Sequence, residues 1–331
     1  MECIRNFQAF LENISLKSTR EDRIGQCWSA LKEFARNDRT NDEDTPGIGD
    51  KLREIFVQGS YAMGTSIRPV DAKDEFDVDT VLVLTLKKDK GSLPDSTETL
   101  RWVAERLRTN ANYAKSLEVK KRCVRINYAG EFHLDVVPSE SEGAPVGSLL
   151  IPDKGGRWIP TDPKGLIAWV ADKEKESGQR FQRMVKYLKW WSRDVAPQSA
   201  HVASTVLTVM LGNHVSVGSS DAEALVETMG SLNDWLSLCQ AKPDIQHPTV
   251  SINVAERWKE SEFQSFKTAL EEATNTAQDA LNAPDKDESV ELWQKVFGDQ
   301  FPRLDDGGDD KGGFVPPRGP ARKQDREFGR W

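Results

Sequence analysis

The segment "FDVDTVLVL" (residues 76–84) most constrains how this chain can fold, because it has the pattern of an apolar strand with two carboxylates near its start. Alternate residues of a strand share a face, so Asp77 and Asp79 point the same way, and Val81 and Val83 continue that face in apolar form. Charges in such a place are costly unless a cation or a partner offsets them. The sequence therefore predicts an apolar strand whose start carries a charged site.

The order of the remaining elements predicts the fold class. Segment 15–38 favours an amphipathic helix, with Ser18 and Glu21 as a capping box. Its apolar stripe is Ile24, Cys27, Trp28, Leu31 and Phe34. Strands follow as far as Pro138, and the chain is then mainly helical, with Asp162 as an N-cap and Pro163 at the first helical position. Later helices are expected at about 163–172, 178–193, 200–215, 221–240, 255–282 and 288–297.

Early strands and late helices predict an α+β fold with a mixed sheet in its first lobe. We expect a catalytic lobe with an N-terminal helix over residues 1–160 and a helical lobe over 161–304. Residues 305–331 are rich in Gly, Pro and charge, which is typical of a flexible tail.

Composition excludes several classes of protein. The net charge of −8 argues against a long nucleic acid as substrate, because such binding needs Lys and Arg against phosphates, but it leaves nucleotides open. Four scattered cysteines without a Cys-x-x-Cys pair argue against zinc and disulfides and favour the cytoplasm. The N-terminus "MECIRNFQAF" lacks the apolar run of a signal peptide, and no segment is apolar for long enough to cross a membrane.

A third carboxylate belongs to a predicted hairpin, "EVKKRCVRINYAGEFHLDVVP" (residues 118–138), whose turn is expected at residues 129–130. Asp135 shares a strand face with His133 and Val137. If this strand lies beside the first, three carboxylates converge and raise each other's pKa, which favours bound divalent cations. Oxygen ligands suit Mg²⁺, and two such ions can activate a hydroxyl and stabilise a departing pyrophosphate.

The Gly59-Ser60 turn before the strand favours a phosphate-binding loop, because glycine allows close backbone approach and Ser60 adds a hydroxyl. Each feature alone has a plain structural explanation: an ordinary turn, a solvated strand edge, or surface alternation around Asp135. Their order and spacing together favour a site that holds metal on a nucleotide.

The wording "GSYAMGTSIRP…EFDVD…HLDVVP" resembles the nucleotidyltransferases of the polymerase β superfamily, and most of all the bacterial cGAS/DncV-like enzymes of antiphage signalling. The resemblance covers roughly residues 50–215. It implies two lobes with nucleotides in the cleft between them, and two Mg²⁺ ions for which Mn²⁺ can substitute. It also implies that Asp77, Asp79 and Asp135 hold the metals and act in catalysis, while Gly59 and Ser60 bind the triphosphate.

A second group of residues lies in "FQRMVKYLKWWSRD" (residues 181–194), where Lys186, Lys189 and Arg193 share a helix face. A solvated basic face is the plain explanation. The resemblance implies that a lysine before an aromatic pair contacts the donor triphosphate, which Lys189 matches best and Lys186 second. Ser199 resembles a small polar residue that also reaches the nucleotide, although a helix-capping role explains it equally well.

The sequence thus predicts template-independent synthesis of a cyclic di- or trinucleotide messenger from nucleoside triphosphates, ATP among them, in antiphage defence. Accessory or activating proteins encoded nearby are expected partners, with the tail segment "REFGRW" as one attachment point. Two alternatives stay open. One is a linear-product or substrate-tagging enzyme of the same superfamily, and the other is a catalytically silent nucleotide-binding scaffold.

Overall fold

The structure is a computed structural model, and it describes residues 1–40, 42–70, 76–86, 92–128, 130–144 and 147–304. The tail predicted at 305–331 lies outside the described residues, as does Ala129 of the predicted hairpin turn. Two compact units pack within themselves. The sheet unit comprises residues 20–182 and 243–257; the helical unit comprises residues 1–19, 183–242 and the described residues from 258 onward. The predicted division at residue 160 concerned functional lobes and stays a prediction.

The sheet unit is built on one mixed seven-stranded sheet. Its strands are β1 (Leu52–Gln58), β2 (Phe76–Leu84), β3 (Leu117–Val119), β4 (Val124–Tyr128), β5 (Phe132–Glu140), β6 (Leu149–Asp153) and β7 (Arg157–Thr161). Its main path runs β1-β2-β5-β4-β3, with β6 joined to β5 and to β7. Only the β2–β5 pair among these strands is parallel, and the other pairs are antiparallel. The mixed sheet and the α+β class are as predicted.

Burial along β2 follows the predicted alternation. Phe76, Val78 and Thr80 are buried on one face. On the other face Val81 and Val83 pack with Leu149 and Phe56. The strand is therefore covered on both sides beyond its first few residues, and only its start leaves room for charged groups.

The described part of the sheet unit also contains five helices. They are α2 (Ser18–Asn37), α3 (Ile48–Lys51), α4 (Gly59–Ala62), α5 (Ser96–Arg108) and α6 (Pro163–Glu176). Of these, α4, α5 and α6 pack against strands of the sheet. The predicted cap of α6 is present, since the Asp162 carboxylate accepts from the Gly165 amide at 2.7 Å and Pro163 opens the helix. The apolar stripe of α2 is buried as expected, except that Ala35 is fully buried where Phe34 is only half-buried.

The helical unit begins with α1 (Ile4–Ile14), a helix that the sequence analysis did not predict. Its other elements are α7 (Phe181–Trp190), a π-helical turn (Trp191–Val195), a 3₁₀ turn (Gln198–Ala200), α8 (Ser204–His214), α9 (Asp221–Leu238), α10 (Glu260–Asn282), α11 (Lys286–Phe297) and a 3₁₀ turn (Gly298–Gln300). Aromatic rings join α1 to α11, with Phe10 and Phe297 at 4.5 Å and Phe7 and Trp293 at 4.9 Å between centroids. None of the helices that the structure describes is both long and apolar enough to span a membrane.

Three late helices, α7, α8 and α10, begin later than predicted, and for α7 and α10 the backbone shows a local reason. Helix α7 begins at Phe181 because Gly178 and Gln179 adopt left-handed backbone conformations, with φ of 62° and 67°, which an α-helix cannot contain. Helix α10 begins at Glu260, because Lys259 has an extended backbone with ψ of 149° and its amide donates to the Glu262 carboxylate at 3.1 Å.

Candidate active site

The three predicted aspartates lie on adjacent strands at matching positions. In the parallel β2–β5 pair Asp79 is the direct partner of Asp135, and Asp77 is the partner of His133. Asp77 is about half exposed and Asp135 is buried, so the group runs from the surface inward. The expectation that the Asp135 strand lies beside the first strand is confirmed, and it brings three carboxylates together on one face of the sheet. We call Asp77, Asp79 and Asp135 the aspartate row.

An arginine that the sequence analysis did not select lies within this row. Arg125 on β4 is the register partner of Asp135. Its Nε and one terminal nitrogen donate to the two Asp135 oxygens at 2.7 and 2.8 Å, and the same terminal nitrogen lies 2.9 Å from an oxygen of Asp77. A hairpin pairs residues whose numbers have a constant sum, so the predicted turn at residues 129–130 already implied a partner near position 125.

Electrostatics in the row favour a further positive charge. The pKa of Asp79 is raised to about 7, first by burial and then by the neighbouring Asp135 and Asp77 carboxylates, while Arg125 acts in the opposite direction. The pKa of the Arg125 guanidinium is raised above its usual range, mainly by its hydrogen bond to Asp135, so it stays charged at any physiological pH. Three carboxylates against one guanidinium leave an excess of negative charge.

The donor set suits a divalent cation in its chemistry, since hard cations prefer carboxylate oxygens. Within the described residues, however, no three Asp, Glu, His or Cys side chains are already arranged to hold a metal ion. At the aspartate row the guanidinium of Arg125 lies where two of the carboxylates would otherwise face a cation. Metal binding here would require Arg125 to share or release these oxygens.

Gly59 opens α4 directly beside the row. Its φ of +71° is unfavourable for other residues, and a Cβ at this position would lie 2.1 Å from an Asp79 carboxylate oxygen. Ser60 follows, with its Oγ 3.1 Å from Ser66 Oγ and its carbonyl accepting from the Thr65 amide. The turn therefore touches the aspartate row through Gly59, in a conformation that only glycine adopts without strain.

The second predicted group belongs to the helical unit. Lys189 on α7 is buried, with 4% of its surface exposed. The pKa of Lys189 is lowered to about 7, first by burial and then by the cationic neighbours Arg193 and Lys186. Lys186 donates to Ser15 Oγ at 3.4 Å, and Arg193 donates to Ser204 Oγ at 3.4 Å. The plain explanation of a solvated basic face does not describe Lys189, because that side chain is buried.

Ser199 lies exposed in the 3₁₀ turn Gln198–Ala200. Helix α8 begins at Ser204, with Ala203 in the N-cap position. Ser199 therefore does not cap α8, which removes the capping explanation for it at this helix. The predicted start of that helix at residue 200 was four residues early.

Comparison with solved structures identifies the class of fold. The structure of the Escherichia coli MS115-1 CdnC:HORMA-ΔN complex matches with a TM-score of 0.72 at 20% identity, over 91% of this chain and 98% of that one. The predicted polymerase-β-like α+β fold is confirmed.

The family model of the Second Messenger Oligonucleotide or Dinucleotide Synthetase domain matches residues 1–174. The chain belongs to this family, which confirms the resemblance to the bacterial cGAS/DncV-like enzymes. Among curated proteins it is 27% identical to a cyclic AMP-AMP-AMP synthase of an Acinetobacter species, over 75% of this chain and 72% of the relative. It is 28% identical to a c-di-GMP synthase of Roseivirga ehrenbergii, over 87% of this chain and 82% of the relative.

Proposed function

We propose that this protein joins nucleoside triphosphates, without a template, into a cyclic di- or trinucleotide. The observation that carries the proposal is the aspartate row, in which Asp79 and Asp135 are register partners and the pKa of Asp79 is raised first by burial and then by its carboxylate neighbours. Membership of the synthetase family supports the reaction class, and the names of the two relatives support a cyclic product.

In the proposed site Asp77, Asp79 and Asp135 hold two Mg²⁺ ions, for which Mn²⁺ can substitute. Such ions polarise the α-phosphate and lower the pKa of the attacking ribose hydroxyl. Asp135 lies farther inside than Asp77, and on the resemblance to the family we assign to it the acceptance of the hydroxyl proton. Ring closure repeats the same transfer with the hydroxyl of the linear product.

The triphosphate is assigned to Gly59 and Ser60, and to Lys189 with Lys186 and Ser199 as further contacts. The close approach of Gly59 to the Asp79 carboxylate supports the first assignment, because a phosphate at that turn would share the cation of the row. The depressed pKa of Lys189 supports the second, since a buried amine beside two cations gains most from an anionic ligand. ATP is expected among the substrate nucleotides.

The cellular setting is part of the same proposal. The resemblance supports a role in antiphage defence, and the scattered cysteines, among which there is no Cys-x-x-Cys pair, support a place in the cytoplasm. The E. coli CdnC was solved with a HORMA protein, which supports an accessory protein as a partner for this chain.

The test is incubation of the full chain with all four nucleoside triphosphates and either Mg²⁺ or Mn²⁺, followed by phosphatase treatment and mass spectrometry. A D77A/D79A double variant is assayed in parallel. The proposal expects a phosphatase-resistant cyclic product that the variant does not form. Linear, phosphatase-sensitive oligomers would instead support the linear-product alternative. Metal-dependent nucleotide binding without any product, even after addition of accessory proteins, would support the silent scaffold.

A further inference from the structure

Arg125 occupies two of the three carboxylates that the proposed function assigns to metal. We propose that Arg125 is a built-in counter-cation that competes with divalent metal at the aspartate row and thereby couples metal binding to nucleotide binding. This inference rests on the proposed function, and it goes beyond it by assigning a role to a residue outside the predicted site.

The contacts of Arg125 are those of a cation that substitutes for metal. Its guanidinium binds both oxygens of Asp135 in a two-pronged pair at 2.7 and 2.8 Å, and it lies 2.9 Å from Asp77. Paired, two-pronged hydrogen bonds of this kind are the strongest that arginine makes to a carboxylate. Only 18% of the Arg125 side chain is exposed, so solvent screens these contacts poorly.

Competition follows from charge and geometry. A metal ion at the row would meet a fixed positive charge within a few Å and would need oxygens that the guanidinium already engages. Arg125 cannot yield by losing its proton, because an arginine guanidinium stays protonated in proteins. It can yield only by sharing the oxygens or by moving to another anion.

A nucleotide supplies that other anion. Phosphate oxygens offer arginine the same two-pronged geometry that a carboxylate does, so a phosphate near the row gives the guanidinium a second partner. Metal that enters with a nucleotide therefore meets less competition than metal that enters alone. The expected result is weak metal binding in the absence of nucleotide and strong mutual enhancement when both are present.

A nearby arginine provides a matched control. Arg122 lies just before β4 and donates to Asp153 at 3.1 Å, where Lys121 and Arg257 also pair with the same buried carboxylate. Arg122 and Asp153 thus form an arginine–aspartate pair in the same sheet unit but outside the aspartate row. Its removal leaves Asp153 with two cationic partners, so little structural change is expected.

The experiment measures Mn²⁺ binding by the full chain, from the electron paramagnetic resonance signal of free Mn²⁺. Titrations are run with and without an ATP analogue whose α–β bridge cannot be cleaved. The variants are R125Q, R125K, R122Q and D77N/D79N, and circular dichroism melting checks that each is folded.

Without nucleotide, we expect R125Q to bind Mn²⁺ at least about tenfold more tightly than the wild type, because a repelling charge has gone. The analogue should then improve Mn²⁺ binding less in R125Q than in the wild type. R125K keeps the charge but loses the two-pronged contact, so an intermediate affinity is expected, and R122Q should match the wild type.

Equal or weaker Mn²⁺ binding by R125Q, or by R125K if R125Q does not fold, would overturn the role of Arg125 and show that it only positions Asp135. The double variant separates this failure from that of the proposed function. If D77N/D79N binds Mn²⁺ as the wild type does, the metal site itself is wrongly assigned and both proposals fail. If only the double variant loses Mn²⁺ binding, the assignment of the metal site to the aspartate row is supported, independently of the role of Arg125.

Discussion

Two regions of this molecule hold like charges close together, with opposite sign. In the sheet unit, burial and two neighbouring carboxylates raise the pKa of Asp79 to about 7. In the helical unit, burial and two neighbouring cations lower the pKa of Lys189 to about 7. The aspartate row has Arg125 on the adjacent strand to oppose its charge, whereas the charged groups that shift Lys189 all share its sign.

The difference shows how a fold can prepare for ligands of either charge. A buried group whose pKa approaches neutrality is stabilised in its charged form when an opposite charge arrives. The aspartate row therefore suits a cationic ligand. Lys189 with its neighbours Lys186 and Arg193, which we call the lysine region, suits an anionic ligand. Arg183 and Asp221, in the helical unit, form a largely buried pair of opposite charges. This pair is the reference with which the two groups of like charges are compared.

The largest effect is expected at the aspartate row. Replacing Asp77 and Asp79 together by Asn should lower the rate of nucleotidyl transfer by about 10³-fold or more, because the ligands of the cation are lost. Release of pyrophosphate gives the initial rate. Glu176→Gln, on α6 of the same unit and in an exposed pair with Lys173, is the control and should retain the wild-type rate. A double variant within tenfold of the wild type would show that the row is not the reaction centre.

Binding of a triphosphate in the lysine region should be accompanied by measurable proton uptake. At pH 8 an amine with a pKa of about 7 is mostly neutral, so binding a triphosphate beside Lys189 should take up close to one proton, and the uptake should shrink at pH 6. Calorimetry in buffers of different ionisation enthalpy measures it. Lys189→Met should abolish the uptake and raise the KM for the nucleotide by about 10- to 100-fold.

Lys259 provides the control for that measurement, because it is an exposed lysine of the helical unit paired with Glu262. Lys259→Met should leave both proton uptake and KM at wild-type values. If the wild type took up no proton on binding at pH 8, Lys189 would have no part in holding the triphosphate.

The matched pair should respond in stability. Asp221 accepts from Arg183 at 2.8 and 2.9 Å and from the Tyr187 hydroxyl at 2.8 Å, and both charged partners are largely buried. Asp221→Asn should lower the free energy of unfolding by about 3 kcal/mol, because it leaves the guanidinium buried without its counter-ion. Urea denaturation measures the change, and Glu262→Gln, from the solvent-screened pair with Lys259, should have a much smaller effect. A similar loss of unfolding free energy in both variants would mean that burial does not make the Arg183–Asp221 pair more important for stability than a surface pair.

The last expected effect has the opposite sign and depends on pH. A folded-state pKa above the unfolded value means that the stabilising contribution of Asp79 is present below about pH 4 and is lost as pH rises toward 7. Without metal, Asp79→Asn should therefore raise the free energy of unfolding at pH 8, by up to about 4 kcal/mol, and leave it nearly unchanged at pH 4. Denaturation in the presence of a chelator measures both values. An equal offset at the two pH values would indicate a packing effect instead of a charge effect.

Local periodicity was enough to predict much of this molecule. The alternation in "FDVDTVLVL" predicted one shared face for Asp77 and Asp79, and the hairpin pattern predicted the strand of Asp135. The cap of α6 at Asp162 followed from two adjacent residues. These features depend on residues a few positions apart, which is the range over which strand and helix geometry acts.

Only the tertiary structure decided the features that depend on distant segments. The parallel pairing of β2 with β5 joins strands that are more than fifty residues apart and sets Asp79 opposite Asp135. That pairing, with β4 on the far side of β5, places the Arg125 guanidinium between carboxylates of two strands. The contact between Gly59 and Asp79 and the burial of Lys189 arise in the same way.

The physical reason is that charge neutralisation and burial belong to the packed chain. A sequence pattern states which side chains share a face of one element, but the partner that a face meets is set by the packing of other elements against it. The sequence by itself thus determined the carboxylates, their strand faces and the class of chemistry. The fold decided which opposite charge they meet, and which of the lysines on α7 is buried.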